Sequence, residues 1–296
     1  MTEDVCQRFV DFDQWSTRDA VEAMYEGQLM AMAAVKPAMR DIALAADQAA
    51  QRLGETGRLI YVGAGTSGRL AIQDGAELGP TFGWPRNRIE FCIAGGIEAL
   101  TVSIEGAEDS SENGRSQIQN AKVGKNDIVI GVAASGKTPY TLGALQEANI
   151  RGAMTIGIAN NPNTPLLAEV DNAILAVTGS EIIAGSTRMK AGTAQKAVLN
   201  ILSTAIMTRL GHVYKGFMVD MVVSNKKLEG RAVNMICDIT KCSKKTARSS
   251  LNDANENIKM AVLIALGQSS ESAEQIIKQA SGNLRTALAL LDTKSG

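Results

Sequence analysis

The sequence predicts an α/β protein built on a five-stranded parallel sheet, with a helical segment before the sheet and a helical subdomain after it. Two observations lead to this prediction. Five short runs rich in β-branched residues recur between residues 58 and 180, and amphipathic segments separate them. The runs are also apolar throughout, which is typical of parallel strands that are buried on both faces and joined by crossover helices.

The predicted strands follow one another at regular intervals along the chain. They are RLIYVG from Arg58, IEFCIAG from Ile89, DIVIGVAAS from Asp127, AMTIGIAN from Ala153 and NAILAVTG from Asn172. Ligands of such sheets bind beyond the carboxyl ends of the strands. The residues that follow each run are therefore the first candidates for a functional site.

Helical patterns lie on both sides of the sheet. Apolar residues at helical spacing extend from Thr17 to Leu53, and Pro37 divides them, which predicts two helices. Beyond Gly192 the pattern stays helical to the end of the sequence. Caps or turns are predicted there at Ser224, Ser243 and Ser281.

Three segments follow from these patterns. We predict N-terminal helices over residues 1–54, a sheet domain over 55–215 and a C-terminal helical subdomain over 216–296.

Composition and charge exclude several classes of protein. The chain is 45% hydrophobic and 21% charged, which is typical of a globular protein and unlike a disordered one. A net charge of −1 gives no overall field for nucleic acid, and Asp253 and Glu256 dilute the one basic helical stretch. No apolar run is long enough to span a membrane. We predict neither a nucleic-acid nor a membrane partner.

The cysteines indicate a reducing compartment. Cys6, Cys92, Cys237 and Cys242 are scattered without a C-x-x-C pair, and no signal-like segment follows the acidic start. A cytoplasmic location is therefore expected.

Two phosphate-binding patterns occur, and neither fits its surroundings. GAGTSG, from Gly63, matches the dinucleotide fingerprint, but residues 94–96, where the second strand should end in an acid, are Ala-Gly-Gly. GVAASGKT, from Gly131, matches the P-loop, but its first glycine lies within a predicted strand and Pro139 follows the final threonine. We therefore predict neither binding of a dinucleotide nor hydrolysis of ATP.

Three predicted loops at the carboxyl edge of the sheet combine glycine with hydroxyl side chains. Glycine-rich turns expose backbone N–H groups, helix N-termini add partial positive charge, and hydroxyls donate further hydrogen bonds, a combination suited to a sugar phosphate. The alternative is that these hydroxyls only cap helices. The candidate binding residues are Gly65, Thr66, Ser67, Ser135, Gly136, Thr138 and Ser186.

The loops carry a family resemblance. GAGTSGR, AASGKTPY and GSTRMKAGTAQK are arranged as in sugar isomerase (SIS) domains. With EGAEDS, the chain from DFDQWST onward resembles the N-acetylmuramic acid 6-phosphate etherase family, and more distantly the regulator of glucokinase. The family usually reads Asp-Ala-Ser-Glu-Cys-Pro-Pro-Thr after the first loop, where this chain has DGAELGPT.

The resemblance implies an activity. An SIS-type homodimer without cofactor or metal would remove D-lactate from N-acetylmuramic acid 6-phosphate and leave N-acetylglucosamine 6-phosphate for cell-wall recycling. An ether is cleaved more easily by elimination than by direct hydrolysis, because the aldehyde of the open sugar acidifies the hydrogen on carbon 2. Elimination requires one base and one acid. The single histidine, His212, is interpreted as structural, so carboxylates are left for both roles.

The resemblance also assigns residues to these roles. Glu77 corresponds to the acid that protonates the lactate oxygen, and Glu105 to the base at carbon 2. We expect Glu77 at the end of the helix after the first loop, desolvated by Leu78 and Phe82, which would keep it protonated. Glu105 is expected to end an apolar helix, IEALTVSIE.

Arg188 and Lys190 are implied to hold the phosphate or the lactyl carboxylate. Two other functions stay open for the same loops, namely a phosphosugar isomerase and a sugar-phosphate-binding regulator without turnover.

Overall fold

The computed structural model describes residues 1–102 and 104–294. Within them, five parallel strands form one sheet in the order β2-β1-β3-β4-β5. The strands are β1 Leu59–Gly63, β2 Ile89–Ile93, β3 Ile128–Val132, β4 Met154–Ala159 and β5 Asn172–Leu175. Each lies within one of the five predicted runs, so the predicted fold class is confirmed.

The centre of the sheet is buried on both faces. Every residue of β1, β3 and β4 is buried. β1 pairs on one side with β2, where Leu59 is opposite Ile89, and on the other side with β3, where it is opposite Ile128. Burial on both faces is why these strands appear in the sequence as continuous apolar runs rather than as alternating ones.

Helices precede, connect and follow the strands. Ser16 caps the first of them, since its side chain accepts a hydrogen bond from the Asp19 backbone N–H. A 3-10 turn that contains Pro37 separates the first two helices, as predicted. The helices are α1 Thr17–Ala33, α2 Met39–Leu53, α3 Gly65–Phe82, α4 Ser111–Asn120, α5 Pro139–Ile150, α6 Pro165–Ala168 and α7 Lys190–Arg209.

The chain forms two compact units. The first comprises Met1–Ala76 and Arg86–Ile206, and the second comprises Glu77–Pro85 and the described residues from Met207 onward. The three segments predicted from the sequence stay a prediction.

The second unit contains a hairpin that the helical pattern did not predict. β6 Val213–Tyr214 and β7 Phe217–Met218 pair antiparallel, so the prediction of helix from Gly192 to the end is wrong here. Lys215 and Gly216 between them both have positive φ, +47° and +81°. Two such residues form the tight turn that suits a two-residue hairpin.

Five helices follow the hairpin. Ser243 caps the helix that begins at Lys244, as predicted. The helix that begins at Lys226 is capped by Asn225 rather than by Ser224. Ser281 lies in the turn before the last helix, and its φ is +49°. They are α8 Lys226–Thr240, α9 Lys244–Asp253, α10 Ile258–Ala265, α11 Ser270–Gln279 and α12 Leu284–Lys294. Among the described residues, no helix is both long and apolar enough to cross a membrane.

His212 belongs to a polar cluster in the second unit. Its Nδ1 lies 2.7 Å from a carboxylate oxygen of Asp220, which also pairs with the buried ammonium of Lys259 at 2.5 Å. The ring of Trp84 meets the His212 ring edge to face. These contacts agree with a structural role for the histidine.

A buried carboxylate joins α3 to α7 within the first unit. Asp74 is 2% exposed and accepts hydrogen bonds from the Asn200 side-chain amide at 2.6 Å and from Ser203 Oγ at 3.1 Å. The Tyr61 hydroxyl of β1 donates a third bond at 3.0 Å. Three donors satisfy the buried carboxylate, and they fix the helix that starts at the first glycine loop.

Titration of Asp74 should make stability depend on pH. Burial raises the pKa of its carboxyl above the ordinary 3.8, against the opposing effect of its hydrogen bonds. The folded chain therefore holds this proton more tightly than the unfolded chain, and the stabilisation present below pH 3.8 is lost as pH rises through the folded-state pKa. We expect the unfolding free energy of the wild type, relative to Asp74→Asn, to fall over that window by at most about 1.4 kcal/mol per pH unit.

Urea unfolding of both proteins between about pH 3.5 and pH 7 measures this difference. A wild-type advantage that grows with pH would contradict the assignment.

Candidate active site

A cavity of about 370 Å³ lies where β1 and β2 end and α3 begins. It brings together one predicted catalytic residue, Glu105, and one predicted binding residue, Gly65. Arg69, one turn further along α3, also lines it. The remaining lining residues are Ala64, Ala94, Ala99, Val102, Ile104, Gly106, Ala107 and Glu108.

Close packing explains the three-glycine pattern of the first loop. A Cβ on Gly63 would lie 2.9 Å from the Gly68 Cα, and a Cβ on Gly68 would lie 2.9 Å from the Gly63 carbonyl carbon. Strand and helix can approach this closely only if both residues lack a side chain. Gly65 between them has φ +51° and is exposed. The fingerprint thus has a packing function, independent of any dinucleotide.

The hydroxyls of the first two loops are not used as helix caps. Thr66 and Ser67 lie in the first turn of α3, and Thr138 precedes α5 without a capping side-chain bond. Ser135 Oγ accepts a 3.2 Å bond from the Lys137 backbone N–H, which closes its own loop. Across the described residues, no side-chain hydrogen bond is present for Ser67 or Thr138. Their donors are therefore available to a ligand.

Gly136 locks the second loop against the segment after β4. Its φ is +64°, and a Cβ there would lie 2.3 Å from Thr164 Oγ1. Its carbonyl also accepts a bond from the Leu166 backbone N–H at 3.2 Å. Any other residue would displace the loop from this position.

The third loop is held at its base by a buried carboxylate. Glu181 is fully buried and accepts backbone hydrogen bonds from Lys190 and Ala191, both at 2.9 Å. The next two N–H groups of α7 bond to the carbonyls of Thr187 and Met189. All four N-terminal N–H groups of α7 are thus satisfied within the chain.

The structure separates the predicted residues of this third loop. Ser186 is half-buried and Arg188 is exposed. Lys190 is buried, and its ammonium donates a 2.9 Å hydrogen bond to the Thr178 carbonyl. It lines a second cavity, of about 280 Å³, together with Cys6 and other residues. Lys190 is not among the residues that line the cavity of Glu105.

Glu105 does not end a helix, contrary to the prediction. Among the described residues between β2 and Glu105, a 3-10 turn forms at Ile97–Leu100, and Glu105 itself lies in a turn next to Gly106, whose φ is +69°. Thr101 and Val102 are β-branched and disfavour continuation of the helix. Glu105 is exposed on this turn and lines the cavity.

Glu77 lies within α3 rather than at its end. The helix continues to Phe82 and includes Pro80. Leu78 and Phe82 are buried, whereas Glu77 is exposed. The burial expected for Glu77 is therefore absent in this chain, although its two apolar neighbours are themselves buried.

Two charged residues of the cavity, Arg69 and Glu108, are not among the binding and catalytic residues predicted from the sequence. Arg69 is the last residue of GAGTSGR, and Glu108 belongs to EGAEDS. Arg69 follows Gly65 by four residues, the helical spacing that places both residues on one face, and this spacing is visible in the sequence.

Family models match most of the chain. The one described as the glucokinase regulatory protein N-terminal SIS domain matches residues 41–149, and the one described as the SIS domain matches residues 108–205. A crystal structure from Bacteroides fragilis, of a candidate phosphosugar isomerase involved in capsule formation, has a TM-score of 0.53 at 20% identity. It covers 68% of this chain and 95% of that chain, and the likeness shows the fold alone. The fold and its loops therefore define a sugar isomerase (SIS) domain protein.

Relatives of nearly full length narrow this class. The N-acetylmuramic acid 6-phosphate etherase of Deinococcus radiodurans is 44% identical over 97% of this chain and 94% of its own length. The one of Symbiobacterium thermophilum is 48% identical over 90% of this chain and 88% of its own length. The chain belongs to the N-acetylmuramic acid 6-phosphate etherase family.

Proposed function

We propose that the protein cleaves the lactyl ether of N-acetylmuramic acid 6-phosphate, to give D-lactate and N-acetylglucosamine 6-phosphate. The observation that carries this proposal is the cavity in which Glu105 and Gly65 lie together. This supports Glu105 as the proposed base, since it lines the same cavity as a residue of a loop suited to anion binding. Family membership supplies the substrate, since the relatives bear the name of this etherase.

The reaction proceeds by elimination and addition. With the ring open, the Glu105 carboxylate takes the proton from carbon 2, and the electron pair of that bond forms a double bond to carbon 3. The carbon 3–oxygen bond breaks, and Glu77 gives its proton to the departing lactate oxygen. Water then adds at carbon 3 while a proton returns to carbon 2. General acid and base catalysis of this kind contributes typically about 10²- to 10⁴-fold.

The loops hold the phosphate. Gly65, Thr66 and Ser67 present donors at the start of α3, and Ser135, Gly136 and Thr138 do so before α5. Neither helix has an acidic residue in its first turn that would repel an anion. Ser186 and Arg188 of the third loop complete the phosphate contacts. Lys190, whose ammonium is held by a carbonyl, contributes by fixing that loop.

The protein acts as a homodimer in the cytoplasm. Val21, Tyr25 and Leu29 of α1 are 55%, 62% and 53% exposed and recur every four residues, which leaves an apolar stripe that a second copy would cover. A second copy would also shield Glu77, which is exposed in a single chain. The four cysteines are free thiols, which suits a reducing compartment.

Incubation with N-acetylmuramic acid 6-phosphate in ¹⁸O-water tests the function. We expect unlabelled lactate, and the heavy oxygen on carbon 3 of the product. Label in the lactate would mean displacement at the other ether carbon. A ketose without lactate would identify an isomerase, and binding without any product would identify a regulator.

Removal of a loop hydroxyl should weaken substrate binding. Ser67→Ala and Ser135→Ala are each expected to raise KM about 3- to 15-fold with little change in kcat, since each removes a hydrogen bond to an anion worth roughly 1 kcal/mol. Steady-state kinetics measures the effect, with Ser116→Ala in α4 as the matched control. An unchanged KM in both loop variants would mean that these hydroxyls do not contact the phosphate.

A further inference from the structure

We propose that Arg69 binds the lactyl carboxylate of the substrate and thereby selects acidic ethers over other hexosamine 6-phosphates. The inference rests on the proposed function and adds a specificity-determining residue to it. Neither the glycine pattern nor the carboxylate assignments require an arginine at this position.

The guanidinium of Arg69 is held in place but not neutralised. Its Nε donates a 2.9 Å hydrogen bond to the carbonyl of Ala99, a buried residue of the 3-10 turn after β2. No other hydrogen bond and no ion pair of Arg69 is present among residues 1–102 and 104–294. The bond at Nε fixes the plane of the group, and both terminal nitrogens keep their donors for a ligand.

The position of Arg69 makes those donors effective. The side chain is half-buried and lines the same cavity as Glu105 and Glu108, yet neither carboxylate pairs with it. A pre-oriented planar cation in a partly enclosed site binds a carboxylate through two parallel hydrogen bonds. Because Glu105 is not engaged by Arg69, it also stays free to accept a proton.

The chemistry of the substrate identifies which of its anions Arg69 meets. The base works at carbon 2, the lactyl group leaves from the adjacent carbon 3, and the phosphate is at the opposite end of the open sugar on carbon 6. Arg69 is bonded to the segment between β2 and Glu105, and the phosphate-loop hydroxyls of Thr66 and Ser67 are not among the residues that line this cavity, so Arg69 lies on the lactyl side. The phosphate already has the glycine and hydroxyl loops. Arg69 thus serves the second anion, which a plain hexosamine phosphate lacks.

A comparison of two substrates tests the proposal. N-acetylmuramic acid 6-phosphate is compared with the analogue whose lactyl carboxylate is replaced by a neutral carboxamide. For Arg69→Gln we expect kcat/KM to fall about 10- to 100-fold with the acid and to change less than about twofold with the amide. Arg69→Lys should recover part of the loss, because it restores charge without the planar fork.

Arg188→Gln is the matched control, and it should affect both substrates alike because both carry the phosphate. Equal losses for Arg69→Gln with acid and amide would overturn the proposal, as would no loss with the acid. Calorimetric binding of both compounds to the wild type and to Arg69→Gln repeats the comparison without turnover. If the wild type releases no lactate, the proposed function fails. The ratio of the affinities for the acid and the amide still decides whether Arg69 binds the carboxylate.

Discussion

Glu105→Gln is expected to lower kcat for lactate release about 10²- to 10⁴-fold and to abolish hydrogen exchange at carbon 2. The amide keeps the size of the side chain but cannot take a proton. In deuterium oxide, the wild type should place deuterium on carbon 2 of the product and of recovered substrate, and the variant should place none. Proton NMR of the sugar measures this directly.

Glu108→Gln provides the control for this substitution. Glu108 lines the same cavity, so the variant tests whether any loss of negative charge there has the same effect. We expect it to retain exchange at carbon 2. Exchange at the wild-type rate in Glu105→Gln would remove Glu105 as the base, whatever its effect on lactate release.

Glu77→Gln is expected to block lactate release while hydrogen exchange at carbon 2 continues. Without a proton donor for the leaving oxygen, lactate release should fall about 10²- to 10⁴-fold. Removal of the proton at carbon 2 does not need this residue, so slow exchange of recovered substrate into deuterium oxide should persist. Loss of both exchange and release in this variant, with the fold intact by circular dichroism, would contradict the role of acid.

A mixture of the two inactive variants tests whether one copy supplies both groups. If Glu77 and Glu105 of one site come from different copies, a mixed dimer of Glu77→Gln and Glu105→Gln contains one site with both carboxylates intact. Activity should then reappear on mixing and re-equilibration, as we expect from the exposure of Glu77 in a single chain. If no activity returns although mixed dimers form, each site takes both carboxylates from one chain.

The sequence predicts the sheet well because the sheet leaves a strong local signal. Strands buried on both faces must be apolar at every position, so β1, β3 and β4 are visible as unbroken runs. The carboxyl edge then follows from the strand direction alone. That argument was enough to place Gly65 at the cavity of Glu105, although these residues are forty positions apart.

Backbone turns and contacts between residues distant in sequence cannot be predicted in this way. IEALTVSIE has apolar residues at helical spacing, but three positive-φ glycines, Gly95, Gly96 and Gly106, surround it and the chain turns instead. Lys190 is a predicted binding residue, and the sequence does not show that its buried ammonium donates a hydrogen bond to the carbonyl of Thr178. The glycine pattern does not specify an arginine at position 69. Only the folded chain shows that its partner is a carbonyl rather than an acid.

The Glu181 carboxylate makes the start of α7 different from the starts of α3 and α5. It accepts hydrogen bonds from the first two backbone N–H groups of α7, whereas α3 and α5 have no acidic residue in their first turns. Because its first N–H groups are already bonded, α7 offers none of them to a phosphate, and under the proposed function the third loop contributes the side chains of Ser186 and Arg188. Under that proposal, backbone donors come from two of the three helix starts, and the third offers side-chain donors alone.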